Sequence, residues 1–226
     1  MASEVDICNL GLARLGDPAT VASINPPEGS AQAGHCKRWY PITRDLLLEA
    51  HPWGFATQRV SLADLGSAWP SWAYAYELPS DCIKAWAVLP EDAPSDYGVS
   101  LPPESQTFVP TPADYMTGAA VYTPQDFEIE TDSSGNRLLY CNEPNAVLRY
   151  TRQVTDPTRF SPAFIDALGW LMASYLAGPL IKGDAGAQVA QTMYKFFMGS
   201  LQRATTSDSN NRQVRIQQAV PWISRR

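Results

Sequence analysis

The sequence predicts an α+β protein: an antiparallel helical bundle built from N- and C-terminal helices, with an inserted β-rich domain and an extended C-terminal arm. Apolar residues recur with helical spacing near both ends of the chain, short strand-like runs fill the middle, and the last twenty residues have neither pattern. These observations predict a bundle from residues 1–56 and 157–206, an acidic β-rich insertion at 57–156, and an arm at 207–226.

The first predicted helix begins after Ser3, whose hydroxyl can cap it, with Asp6 in the place of the glutamate of a capping box. Gly16 and Pro18 end it, because glycine accepts the left-handed conformation at a helix end and proline cannot continue a helix. Its apolar stripe comprises Val5, Cys8, Leu12 and Leu15.

The second predicted helix begins after Ser30 and ends at His51, where Pro52 follows. Pro41 lies within it and is expected to kink the helix or loosen one turn, because proline has no backbone N–H to donate. Spacings of three and four between apolar or small residues indicate one buried stripe. That stripe comprises Ala33, Cys36, Tyr40, Thr43, Leu47 and Ala50.

The middle of the chain predicts short strands, because β-type runs alternate there with Pro, Gly, Asn and Asp. Residues 132–136 are expected to form a hairpin turn. No basic residue occurs between Lys84 and Arg137, whereas nine acidic residues do. The predicted strands are Ala73–Leu78, Ile83–Leu89, Thr107–Val109, Phe127–Thr131, Leu138–Cys141 and Val147–Gln153.

Helical spacing returns at Ser161, a capping residue that precedes a proline at the first helical position, and continues to about Gly183. Asp184 is expected to cap a last helix from Ala185 to about Thr205. Because one helix cannot bury its own apolar stripe, the four helices are expected to pack as one bundle. The predicted buried side of the last helix comprises Val189, Met193, Phe196, Phe197 and Leu201.

The predicted arm carries four arginines and one aspartate on a segment with no core of its own. A free disordered tail is one interpretation, but a tryptophan beside an isoleucine is unusual on a solvated tail. We expect an arm that becomes ordered on a partner, since Trp and Arg are strong contact residues. The candidate contact residues are Arg212, Arg215, Trp222, Ile223, Arg225 and Arg226.

Charge and composition argue against several classes of protein. The net charge of −6 disfavours a protein that grips nucleic acid, since phosphate binding relies on Lys and Arg, but it permits DNA to pass without binding. The stretch Ala163–Ile181 resembles a membrane span, yet it contains Asp166 and Gly178, so we expect a buried helix and no membrane contact. We also expect no signal peptide, and the spacing of the four cysteines predicts neither disulfides nor a zinc site.

Little in the sequence indicates catalysis. The sequence has two histidines, His35 and His51, but no nucleophile-elbow motif with which either could form a catalytic site. It also has no glycine-rich phosphate-binding loop. Carboxylates and aromatic residues in the insertion leave a glycan-binding or glycan-hydrolysing module as an alternative, because sugar hydrolysis uses paired carboxylates. We expect a protein that is not an enzyme and that uses no cofactor or metal.

Four segments carry a family resemblance. They read Ile7-Cys8-Asn9-Leu10-Gly11-Leu12-Ala13-Arg14-Leu15-Gly16, Ala33-x-x-Cys36-x-x-x-Tyr40-x-x-x-Arg44-Asp45-x-Leu47-Leu48-x-x-His51-Pro52-Trp53-x-Phe55-Ala56, Tyr76-x-Leu78-Pro79-x-Asp81-Cys82 and Pro221-Trp222-Ile223-x-Arg225. In this order they resemble the head-to-tail adaptor family of podoviruses, also called tail tubular protein A. The bundle signature taken from the second segment is Cys36, Tyr40, Leu47, Trp53 and Phe55. Residues 90–135 have no counterpart in this resemblance.

The resemblance implies a structural subunit of a dodecameric ring in the neck of a short-tailed virion, assembled in the host cytoplasm. The portal protein would lie above the ring and the tail nozzle below it, and DNA would cross the lumen without specific binding. The C-terminal segment would reach onto the portal, and the free chain is either a monomer or a ring. Another phage connector or head-completion ring protein is the alternative within the structural class.

Overall fold

The computed structural model describes residues 2–18, 20–66, 71–91 and 125–211. Within them the chain is an α+β protein that divides into two compact units, a helical unit of residues 2–57 and 151–211 and a sheet unit within residues 58–150. The helices are α1 (Glu4–Arg14), α2 (Ala31–Ala50), α3 (Pro162–Ile181) and α4 (Gly183–Asn210). The strands are β1 (Thr57–Ser61), β2 (Tyr74–Glu77), β3 (Cys82–Leu89), β4 (Phe127–Thr131), β5 (Arg137–Cys141) and β6 (Val147–Arg152).

The predicted start signals of α1 and α2 are confirmed. The Asp6 carboxylate accepts the Ser3 N–H at 2.8 Å, and the Ser3 hydroxyl oxygen accepts the Asp6 N–H at 3.1 Å. The first of these bonds holds the pKa of Asp6 below its ordinary value, because it stabilises the carboxylate. The Ser30 hydroxyl oxygen caps α2 by accepting the Ala33 N–H at 3.1 Å, and α2 runs through Pro41 as one continuous helix.

α3 is the central helix of the helical unit. It packs against α1, α2 and α4, and residues 163–177 include no exposed position. Its 20 residues and mean hydropathy of 1.4 are sufficient for a membrane span. Its contacts with three neighbouring helices also explain this apolar composition, because a helix at the centre of a helical layer is apolar on several sides.

The last helix differs from its prediction at both ends. It begins at Gly183 because Lys182 and Gly183 adopt positive φ angles of 62° and 61°, which turn the chain directly from α3 into α4. Asp184 therefore lies within the first turn and does not cap the helix, and Lys182, at the cap position, makes no side-chain capping bond. The helix continues to Asn210, so residues 207–210 are helical and the arm predicted to begin at residue 207 is wrong at these positions.

The sheet unit contains two three-stranded sheets, with strand orders β1-β6-β3 and β2-β5-β4. β1 was not among the predicted strands, because Gln58, Arg59 and Ser61 give it little apolar character and none of its residues is buried. The predicted strand Thr107–Val109 lies outside the described residues. The core of this unit comprises Tyr76, Leu78, Cys82, Val88, Leu139, Cys141, Ala146, Leu148 and Tyr150.

The predicted hairpin turn joins β4 to β5, which pair in antiparallel register. One carboxylate oxygen of Asp132 accepts the backbone N–H groups of Ser134 and Asn136, each at 2.8 Å. These bonds, that of Asn136 foremost, lower the pKa of Asp132 from its ordinary value of 3.8. Gly135 supplies the positive φ of 89° that the turn requires.

Candidate interaction surface

The signature residues of the second segment belong to the core or lie beside it. Cys36, Tyr40, Leu47 and Trp53 are at most 2% exposed, and Phe55 is half-buried. The Trp53 indole N–H donates to the Leu47 carbonyl oxygen at 2.7 Å. The buried Tyr40 hydroxyl has no hydrogen-bond partner among the described residues, and burial raises its pKa. These side chains hold the fold, and none is presented to a ligand.

Asp208 ties the end of α4 to the segment that follows α2. Its carboxylate, 8% exposed, accepts the Gly54 N–H at 3.1 Å and lies 3.2 Å from the His51 imidazole Nε2. The sequence analysis predicted Asp208 to lie in the arm. It missed this contact because the contact joins residues far apart in the chain and no local pattern indicates it. The buried carboxylate explains why the helix extends beyond its predicted end, since it fixes the last turn.

Two glycines allow α1 and α3 to cross closely. A Cβ atom added at Gly11 would lie 3.1 Å from the Met172 Cβ, and one at Gly169 would lie 2.7 Å from Arg14 Nη1 and 2.8 Å from Leu10 Cδ2. Contacts below about 3 Å cannot be accommodated without movement of the neighbouring groups. Gly11 belongs to the first segment of the resemblance, so that segment fixes how the helices approach.

Arg14 connects α1 to α3. Its guanidinium donates to the Asp166 carbonyl oxygen at 2.7 Å and to the Asp166 carboxylate, and it lies 4.0 Å from the centre of the Trp170 ring. The Ser200 hydroxyl donates to the other carboxylate oxygen, which also lies 4.0 Å from Arg203. Burial lowers the pKa of Arg14, although the neighbouring carboxylate opposes the shift. This cluster joins α1, α3 and α4 through hydrogen bonds in which the polar groups of Arg14, Asp166 and Ser200 are paired.

The four cysteines are buried free thiols. Cys8 of α1 and Cys36 of α2 interact with each other, and this interaction, followed by burial, raises the pKa of Cys8. The spacing of 28 residues between them gave no sign of this contact. Their burial makes them packing residues, since a reactive cysteine needs access to solvent.

Large apolar side chains are exposed on two helices of the helical unit. Ile42 and Leu46 of α2 are 45% and 43% exposed, and Tyr194 and Met198 of α4 are each 49% exposed. Within each pair the residues are four apart, so they lie on one face of the helix. Phe196, predicted to be buried, is 51% exposed and packs beside Trp170. The two pairs are the strongest candidates for a binding surface among the described residues.

The remaining described side chains offer little for chemistry. Within residues 2–18, 20–66, 71–91 and 125–211, no group of three or more His, Cys, Asp or Glu side chains is placed to hold a metal ion. A shallow depression beside the start of α3 is lined by residues that include no acid or base, namely Ala2, Pro157, Thr158, Phe160, Pro162 and Ile165. The predicted contact residues of the arm, Arg212, Arg215, Trp222, Ile223, Arg225 and Arg226, lie outside the described residues, as do the acidic residues between 92 and 124.

Comparison of the chain with models of known protein families and with curated proteins finds no match.

Proposed function

We propose that this protein is a head-to-tail adaptor subunit of a short-tailed bacteriophage, a structural ring component without enzymatic activity. The ring, about twelve copies by the family resemblance, would sit in the virion neck between the portal protein and the tail nozzle. In this proposal the helical unit is the bundle of the ring, and the segment after α4 is the arm that contacts the portal.

The observation that carries the proposal is the exposure of two different apolar faces, Ile42 with Leu46 and Tyr194 with Met198. A two-fold dimer needs one self-complementary face, whereas a closed ring needs two different faces that fit each other. Exposed apolar faces in monomers usually mark binding surfaces. A ring subunit therefore accounts for both faces at once.

The packing of the resemblance segments also supports the proposal. Three of the four resemblance segments lie within the described residues, and each has a member that forms a hydrogen bond within the fold. Asn9 pairs with the backbone of Val21, and the Trp53 indole donates to the Leu47 carbonyl oxygen. The Tyr76 hydroxyl donates to the Glu143 carbonyl oxygen at 2.8 Å. A structural family should share residues that build the fold, while an enzyme family should share residues that line a site.

The test is the native mass of the full-length chain, alone and mixed with the portal protein of the phage that encodes it. The proposal expects about twelve copies to join each portal ring. A variant that ends at Asn211 keeps α4 and the Asp208 contacts intact, and we expect it to lose portal binding. Full-length Trp222→Ala serves as the matched variant, because it removes one contact side chain and leaves the chain length unchanged.

Failure of the full-length chain to bind the portal would contradict the proposal. Full binding by the variant ending at Asn211 would retain the adaptor role and contradict the role of the arm.

A further inference from the structure

The turn between α3 and α4 contains a lysine in a backbone conformation that is typical of glycine. Lys182 has a φ of 62° and a ψ of 164°, a region that residues with a Cβ atom almost never adopt. Asn145 is the other non-glycine residue with a positive φ among the described residues, but asparagine is enriched at such angles and lysine is not. Lys182 would lose this strain in any arrangement in which its φ is negative.

The two helices are joined by one residue. α3 ends at Ile181 and α4 begins at Gly183, so Lys182 is the last cap of one helix and the first cap of the next, and its side chain makes no capping bond. A short connection under strain favours exchange of the element beyond it between two copies. The exchanged form repeats the same contacts between chains, whereas the connection is free to relax.

The contacts that hold α4 on α3 can be made equally well by α4 of a second copy. The Phe196 and Trp170 rings lie 5.1 Å apart, and the Ser200 hydroxyl donates to the Asp166 carboxylate. Each contact joins a residue after the turn to a residue before it. Opening of the turn therefore transfers these contacts to another chain and does not remove them.

The start of α4 is weakly anchored. The structure describes all of residues 183–195, and Gly186 is the one buried residue among them. Gly178, Pro179, Gly183 and Gly186 surround the turn, and glycine and proline are the residues least favourable in helix interiors. Little apolar packing and weak helix formers therefore allow the chain to change direction at this point.

We propose that two copies of this chain exchange α4, with Lys182 and Gly183 as the hinge. In the dimer, α4 of each copy packs on α3 of the other copy, and Lys182 leaves its strained conformation. The arrangement is two-fold symmetric, because each copy gives one helix and receives one. This inference stands independently of the proposed function, since it depends on the turn and on the contacts within the helical unit.

Substitutions at the hinge test the proposal, because the two residues are expected to act in opposite directions. Lys182→Gly removes the strain from the unexchanged chain. It should lower the dimer association constant by at least about 25-fold, because one strained residue changes an equilibrium by at least about fivefold and a dimer contains two. Gly183→Ala should raise the constant, since alanine is strained at the φ of 61° that the unexchanged turn requires.

The measurement is the native mass of the full-length chain after refolding from urea at a series of concentrations, since exchange requires α4 to leave α3. We expect a dimer whose fraction rises with the concentration during refolding. The matched control is Gly199→Ala, in α4 away from the hinge, where an added Cβ meets no atom within 4 Å. It should dimerise as the unmodified chain does. A monomer throughout, for both the unmodified chain and Gly183→Ala, would overturn the proposal, and so would equal dimerisation of all four chains.

Cross-linking identifies the exchanged element. One chain carries Trp170→Cys and another carries Phe196→Cys, and these positions face each other between different chains only after exchange. The two chains are refolded together and treated with a short bismaleimide, and the four native thiols are buried, which keeps their background low. We expect covalent dimers, and fewer of them when both chains also carry Lys182→Gly.

Random collision is measured with a mixture of Leu65→Cys and Phe196→Cys, because Leu65 is 47% exposed and lies in the sheet unit. A yield from the Trp170→Cys and Phe196→Cys mixture no higher than this control would show that any dimer forms through another contact, and the exchange of α4 would be wrong.

Discussion

Replacement of Gly169 by alanine tests whether the close crossing of α1 and α3 depends on the missing side chain. The added Cβ would lie 2.7 Å from Arg14 Nη1 and 2.8 Å from Leu10 Cδ2. Arg14 is held by two hydrogen bonds to Asp166 and by the face of Trp170, so it cannot move aside without loss of these contacts. The variant should therefore be less stable even though alanine is the better helix former.

The expected magnitude combines three contributions. Overpacking of a well-packed contact costs about 1–3 kcal/mol, and the loss of a charge-assisted hydrogen bond costs about 1.5–3 kcal/mol. The higher helix propensity of alanine offsets about 1 kcal/mol. If either the steric contact or the hydrogen bond is relieved at the expense of the other, the net destabilisation of Gly169→Ala is about 1 kcal/mol.

Urea unfolding followed by circular dichroism measures this difference. The matched controls are Gly34→Ala in α2 and Gly199→Ala in α4, where an added Cβ meets no atom within 4 Å. We expect both controls to gain about 0.5–1 kcal/mol. A Gly169→Ala variant with the same free energy of unfolding as these controls would refute the reasoning. A double variant with Arg14→Ala should recover part of the loss if the guanidinium is the obstacle.

Three further predictions follow from the described contacts. Asp208→Ala should destabilise the chain by about 1–2 kcal/mol in urea unfolding, because it removes the buried carboxylate that accepts the Gly54 N–H and contacts His51, whereas Asp184→Ala, at an exposed position, should have little effect. Asp132→Asn should lower the melting temperature near pH 7. This difference should shrink as the pH falls below 3.8 and through the lowered pKa of Asp132, because protonation then removes the same stabilisation from the native chain. The four buried thiols should react with Ellman's reagent only at denaturant concentrations that unfold the chain, and rapid native labelling would contradict their burial.

Local signals predicted the elements whose causes are local. The Ser3 and Ser30 caps, the Pro162 helix start and the turn at Asp132 each depend on residues within a few positions of one another. A short-range hydrogen bond can be inferred from such spacing, because the chain geometry is fixed over one turn. The same reasoning failed for β1, whose strand conformation comes from pairing with β6.

Contacts between distant residues could not be inferred. Three such contacts join separate helices or loops, and no spacing in the sequence predicts them. They are Asp208 with Gly54, Arg14 with Asp166, and Cys8 with Cys36. The burial of Phe196 was predicted wrongly for a related reason. Adjacent helical residues point about 100° apart, so Phe196 and Phe197 could not both take the buried direction. Phe197 takes it and is 6% exposed, while Phe196 lies beside Trp170 and is 51% exposed.

The residues that carry the family resemblance differ from those that carry the proposed interface. In the second segment the resemblance includes Tyr40, Arg44 and Leu47, all buried, and leaves Ile42 and Leu46 unspecified. Buried positions are constrained by packing within the chain, whereas exposed ones are constrained only by what they bind. The fold and the choice of neighbour are therefore encoded at separate positions of α2. If the proposed ring forms, changes at Ile42 and Leu46 should alter association between copies while the helical unit keeps its stability.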